Sequence, residues 1–187
     1  NILYIVHSYH SFQKDSIEAL AKEFKNVYVI VRYKPFAEIS KFLPISILKI
    51  HRKEYIIQEE GKPENVHIYT SSLWYLPFKL FYKYLGKHHF RVVERIIKKN
   101  KIKFDIVHSH FTWTSGYVGM KLKEKYGVPF VLNIHSSNTL EEQLRLKDKE
   151  IITTWKTADA IIRVNKENIK DLKEYNKETY FIPNGFN

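Results

Sequence analysis

Cysteine is absent from the 187 residues, which removes disulfide frameworks and thiolate metal sites together. That absence fits a reducing compartment. Long apolar runs are missing as well: no stretch reaches the ~18 consecutive apolar residues of a membrane-spanning helix. The opening run, residues 1–6, has the size of a strand rather than the charged-then-apolar pattern of a signal peptide. It begins without methionine, so further residues are expected upstream. Glycine is scarce, six in all, and none falls between Asn1 and Lys25. Internal repeats and low-complexity segments are also absent. Acids are outnumbered, 20 against 31 Lys and Arg, for a net charge of +11. The excess is concentrated in residues 73–103, where nine Lys or Arg face one acid, Glu94, a local charge of +8. Such a segment attracts something negative: a bilayer surface, nucleic acid or a phosphorylated ligand.

A hydrophobic content of 44% over this length supports one domain with a real core. Residues 2–6 read as a strand, 7–11 as a loop, and 16–24 as a helix with Ile17, Leu20, Ala21 and Phe24 on one face, capped by Asp15 or Ser16. Residues 27–31 give a second strand, and this opening is that of a doubly wound domain. Residues 33–61 are irregular, with Pro35 and Pro44 interrupting short helical pieces in which Phe36, Ile39, Phe42 and Leu43 pack back onto the body. Residues 55–58 and 66–69 are strand-like. A helix is expected over 74–101, broken near Gly86. Further on, 139–157 reads as one helix opened by a Thr139/Glu142 capping box. Strand 160–164, helix 165–175 and strand 179–182 follow.

The informative stretch is 104–138. Residues 104–109 and 130–134 are short buried strands, and the segment between them is a helix stopped by Gly127. Together they make a right-handed βαβ unit. His108, His110 and His135 fall at the carboxyl ends of the two strands, the edge where open α/β sheets bind ligands. His108 and His110 are two apart and share a sheet face. Each has a structural reading, as a strand-end histidine satisfied by backbone, and a functional one, as a ligand-positioning group.

The run Asp-Ile-Val-His-Ser-His from Asp105, the Ser115-Gly116 helix, Gly127-Val-Pro-Phe-Val131 and the terminal Ile134-His135 resemble the amino-terminal domain of family 4 retaining glycosyltransferases. The closing segment 181–187, Phe-Ile-Pro-Asn-Gly-Phe-Asn, resembles that family's junction into a second domain. The resemblance implies a GT-B fold of two facing Rossmann-like domains. Residues 1–182 would be the acceptor-side domain, a mainly parallel sheet with helices on both faces, and 183–187 the start of a linker to a donor-binding domain. It implies sugar transfer from a nucleotide-sugar, as co-substrate rather than cofactor, to a glycan or lipid-linked acceptor, without a metal. His135 becomes the catalytic candidate. His110, Ser8, His10, Ser136, Asn184 and Gly185 become substrate- or donor-binding candidates. The first loop departs from the family in lacking paired glycines, so Ser8, Ser11 and the helix amino terminus are left to receive an anion there. Such a half is expected to fold alone and to transfer no sugar alone.

Other classes compete with this reading. His7, His10, His108, His110 and His135 would suit a transition metal if strands 1 and 4 are neighbours, but strand spacing does not place three nitrogens on one ion. No base-reading motif supports nucleic acid. The aromatic and basic stretch with Trp74, Lys79, Lys83, Lys87 and Arg91 reads either as a core-packed helix with a solvated face or as a surface for anionic lipid. The latter puts the protein in the cytoplasm, peripheral on the inner face of the membrane. A non-catalytic Rossmann-like binding module with a basic surface is the alternative to an enzyme.

Overall fold

Apolar, β-branched runs that can be covered on both faces become parallel strands, and the first of them, β1 (Ile2–Val6), lies inside the sheet and is buried at every residue. It is flanked by β2 (Val27–Tyr33) and β4 (Ile106–His110), and the sheet extends through β3 (Val66–Ser72) on one side. On the other side lie β5 (Phe130–Ile134), β6 (Ala160–Arg163) and β7 (Thr179–Phe181). All seven strands are parallel, in the order β3-β2-β1-β4-β5-β6-β7. The computed structural model describes residues 1–41, 49–74, 79–135 and 137–184, with backbone only for 79–83 and 137–138. The order reverses between β1 and β4, which opens a crevice at their carboxyl ends.

Side-chain alternation divides the sheet between two cores. Leu3, Ile5, Val107, Phe130, Leu132 and Ile134 face one cluster; Ile2, Tyr4, Val6 and Val29 face the other. The first cluster is closed by α3 (Lys79–Lys99), α4 (Tyr117–Tyr126) and α6 (Lys149–Thr157). The second is closed by α1 (Ser11–Ala21) and the short α2 (Lys53–Ile56). Helices α5 (Ser137–Leu146) and α7 (Ile169–Tyr175) complete the later units.

Several boundaries differ from the sequence reading. Helix α1 begins at Ser11, so Asp15 and Ser16 are inside it and the Ser16 hydroxyl donates to the Gln13 carbonyl instead of capping. Residues 53–56 form a helical turn; Ile57 then bridges Tyr9. Phe36 and Ile39 lie in a 3-10 segment (Pro35–Lys41) and are exposed, while Ala37 and Ser40 turn inward. Phe42 and Leu43 lie outside the described residues. Helix α3 runs unbroken through Gly86, against which the Trp113 and Tyr117 rings pack. The expected helix 139–157 is two helices. The chain is already helical at Ser137, so Thr139 lies inside the helix and not at its start. Lys147 turns left-handed (φ 48°), and Asp148 starts α6 by accepting from the Glu150 and Ile151 amides at 2.8 and 3.2 Å.

Helix α4 lies hard against the sheet at Gly119. A Cβ there would stand 2.3 Å from the Phe130 ring and 2.5 Å from Ser109 Oγ. A helical Gly→Ala change ordinarily gains up to about 1 kcal/mol. Gly119→Ala is expected to lose about 2–3 kcal/mol instead, because the Phe130 ring, fully buried, has nowhere to move. Urea unfolding of the variant measures it, and an unchanged or raised midpoint would contradict this close packing.

Candidate functional site

The carboxyl edge of β1, β4 and β5 gathers a row of rings. Tyr4 is in register with His108, and His110 with Asn133, so Tyr4, His108, His110 and His135 project from one sheet face. Ring centroids lie 5.0 Å apart for Tyr4–His108, 5.0 Å for His108–His110 and 4.9 Å for His110–His135. His135 Nε2 and His110 Nδ1 share a hydrogen bond of 3.2 Å. Burial removes the water that would stabilise imidazolium. It pushes His108 down to about 4, with His135 adding to the shift, and His110 well below its ordinary value, with both neighbours adding. His135 falls to about 4 for the same first reason, and then because of Arg163. The row is therefore neutral near pH 7, and each imidazole has one donor and one acceptor nitrogen. His135 Nδ1 is buried without a hydrogen-bond partner among the described residues.

Two features hold this row in place. Arg163, fully buried at the end of β6, donates through Nη1 to the carbonyls of Ile134 and His135 at 3.1 and 3.2 Å, fixing the end of β5. Phe111 leaves β4 with φ 72° and ψ 140°, a region that β-carbon-bearing residues rarely occupy. That turn stacks its ring on His7 at 4.5 Å and sets it 5.0 Å from His135; Phe12 from α1 covers His135 at 4.9 Å. Beyond Phe111 opens a cleft of about 350 Å³ lined by His7, Phe111, Trp113, Ile134, Leu140 and Gln143.

The expected residues fare unevenly. His135 and His110 meet, but His110 is 1% exposed and reaches a ligand only through His135. Ser8 is buried and accepts from Gln13 Nε2 at 2.7 Å, and His10 is paired with the Ser11 hydroxyl, so neither is brought against His135. Asn184 follows β7, two strands from β5. Ser136 and Gly185 lie outside the described residues. Among the described residues no three His, Asp or Glu side chains are grouped to hold a metal ion. Lys87 and Arg91 stand exposed on α3 with Arg95 and Lys98, and Trp74 is 69% exposed; the side chains of Lys79 and Lys83 are outside the description. No described helix is long and apolar enough to cross a membrane. Sequence reasoning missed Tyr4, Phe111, Arg32 and Arg163; a lone arginine closing the apolar run Ala160–Arg163 was the available signal for the last.

The sequence profile of Glycosyltransferase Family 4 matches residues 14–187. The chain belongs to this family. An uncharacterized glycosyltransferase of Methanocaldococcus jannaschii is 32% identical over 100 residues, covering 52% of this chain and 28% of that protein. The D-inositol 3-phosphate glycosyltransferase of Streptosporangium roseum is 39% identical over 46 residues, covering 25% and 10%. The chain thus spans under a third of these relatives. Arabidopsis thaliana UGT89C1 complexed with UDP superposes with a TM-score of 0.56 at 8% identity, over 97% of this chain and 51% of that one. The amino-terminal domain of Candida albicans trehalose-6-phosphate phosphatase gives 0.59 at 13% identity, over 97% and 48%. At these identities the likeness is one of fold: the Rossmann-like α/β domain of the GT-B architecture.

The neutral imidazoles of this family 4 domain make its stability depend on pH. His7, His89, His108, His110 and His135 all have folded-state values below the ordinary 6.5. The unfolded chain therefore binds more protons between about pH 6.5 and 4. Stability is full above pH 6.5 and falls as the pH drops through that window. For the three buried most deeply, His89, His108 and His110, the loss by pH 5.5 is about 1 kcal/mol each. Urea unfolding at pH 7.5 and 5.5 should show a clear drop in midpoint; equal midpoints would mean that the imidazoles are hydrated in the fold.

Proposed function

We propose that this chain is the acceptor-side half of a glycosyltransferase that moves a sugar from a nucleotide-sugar to an acceptor hydroxyl bound at the carboxyl edge of β1, β4 and β5. The observation that carries the reading is the neutral His110–His135 pair at that edge, in a chain of Glycosyltransferase Family 4. A neutral His135 offers one nitrogen to His110 and the other to a substrate hydroxyl. Arg163 holds its backbone carbonyl and Phe111 packs on its ring, so the hydroxyl is oriented without reorganisation of the site. The pair acts by positioning, since an imidazole titrating near 4 holds no proton to donate as an acid at pH 7. Departure of a nucleoside diphosphate needs stabilisation of its developing charge. A donor-binding domain following residues 183–187 supplies it in this reading, with no metal or cofactor, and residues 1–187 alone are inactive.

The basic face of α3 adds a location. Lys87, Arg91, Arg95 and Lys98 recur at helical spacing, with Tyr84 exposed among them and Trp74 nearby in sequence. This face docks on anionic lipid at the inner membrane surface, which would bring a lipid-linked acceptor within reach.

Two outcomes test these readings. In the full-length enzyme His135→Ala should lower turnover on the order of 10²-fold with its melting temperature little changed. Wild-type turnover would remove His135 from the reaction, and gross unfolding would make it a packing residue. In sedimentation with vesicles, binding should require anionic lipid, weaken with salt, and fall when Lys87 and Arg91 are changed to Glu, each cation contributing roughly 1 kcal/mol. Equal binding to neutral vesicles would leave the charges as a solvated face.

A further inference from the structure

A second buried string of polar groups ends at the same edge. Val31 of β2 is in register with Val6, so the next residue, Arg32, lies level with His7 where that histidine lines the cleft. Arg32 Nη1 makes a long hydrogen bond, 3.4 Å, to Thr114 Oγ1. Thr114 and His89 are both fully buried. His89 Nδ1 lies 2.7 Å from Thr114 Oγ1, and His89 Nε2 lies 3.0 Å from Ser71 Oγ.

Donor and acceptor roles in this string follow from its far end. The Ser71 hydroxyl gives its proton to the Val31 carbonyl at 3.2 Å. Its oxygen must then accept from His89, so His89 carries its proton on Nε2. His89 Nδ1 is left as an acceptor and takes the Thr114 hydroxyl proton. The Thr114 oxygen in turn keeps its lone pairs for Arg32. Every bond points the same way, from the guanidinium inward to Val31. The turn holding Thr114 (Thr112–Gly116) is tied from the other side by Trp155, whose Nε1 donates to Thr112 Oγ1 at 3.1 Å. Three fully buried polar side chains, on β3, the turn and α3, are thus committed to one arginine beside the cleft, level with its His7 and bonded to the neighbour of its Trp113.

We propose that Arg32 anchors an anion subsite at this edge, beside the cleft, that takes a phosphate group of a bound substrate, with Thr114 and His89 as its positioning residues. The inference rests on the glycosyl-transfer reading in its choice of ligand: the phosphate belongs either to the nucleotide of the donor or to a phosphorylated acceptor. A guanidinium is always charged and presents its N–H groups in a planar fork that matches two phosphate oxygens. Lys34, two residues on, adds charge on the same side: Arg32 and Lys34 both act on His7 and on His51.

Calorimetric titration of the full-length protein with inorganic phosphate and with UDP tests the subsite without requiring turnover. Arg32→Gln should weaken binding of at least one of them by about tenfold or more. Phosphate binding that UDP abolishes assigns the group to the donor, and binding that persists in saturating UDP assigns it to the acceptor. Thr114→Val keeps shape and charge but cuts the string, and should weaken the same ligand about two- to fivefold, with Thr114→Ser restoring it. Nitrogen NMR should find His89 protonated on Nε2. Unchanged affinity for both ligands in Arg32→Gln overturns the subsite and leaves the glycosyl-transfer reading to its own turnover test. A His89 protonated on Nδ1, or a Thr114→Val that binds like wild type, overturns the positioning role.

Discussion

Exclusion of water from the carboxyl ends of β1, β4 and β5 governs the chemistry open to this domain. These strands are flanked by parallel neighbours and covered on both faces by apolar clusters, so a side chain at their ends is desolvated before it meets a partner. Imidazole tolerates that environment better than a carboxylate or an ammonium, because it can give up its charge and still make two hydrogen bonds. A lysine or aspartate at His110 would need a buried counter-charge, and none of the groups packed around it, Tyr4, His108 and His135, could supply one. The neutral row is thus a consequence of the sheet. What the row can do, orienting hydroxyls rather than trading protons, follows in turn from its neutrality.

The same physics acts twice. His110 and His135 form one polar string, and Arg32, Thr114, His89 and Ser71 form another. In low dielectric each bond within such a string is strengthened, and an interruption leaves a buried group unpaired. The two strings end at the carboxyl edge near the β4 exit, where Phe111 adopts its sparsely populated backbone conformation. His135, from the first string, and His7, level with Arg32 of the second, both pack on that ring.

Most of the sheet was legible because a fully buried parallel strand must be a short apolar run, and residues 2–6, 27–31 and 130–134 are such runs. The meeting of His110 and His135 was legible for the same reason: residues ending adjacent parallel strands share an edge. The start of α1 was hidden because tertiary contacts set it. Gln13 bonds Ser8 and Phe12 covers His135, neither of which leaves a capping pattern in the sequence. The break before α6 was masked by an apolar periodicity that continues through Leu146 and Ile151, although Asp148 ahead of Lys149-Glu150 is a cap signal in its own right. Arg32 was beyond local reasoning altogether, since Thr114 is 82 residues away in sequence.

Helix α3 carries two of these tasks on opposite faces. His89, Val93 and Ile97 are buried, and His89 belongs to the polar string; Lys87, Arg91 and Arg95 face outward. Exposed charges are screened and individually contribute little to folding, so the outer face can be rewritten at small cost to stability. The inner face cannot, since removal of His89 would leave the Thr114 hydroxyl proton without its acceptor and the Ser71 oxygen without its donor where water does not reach. One helix therefore lets the surface that meets a partner vary while the geometry at the cleft is held constant.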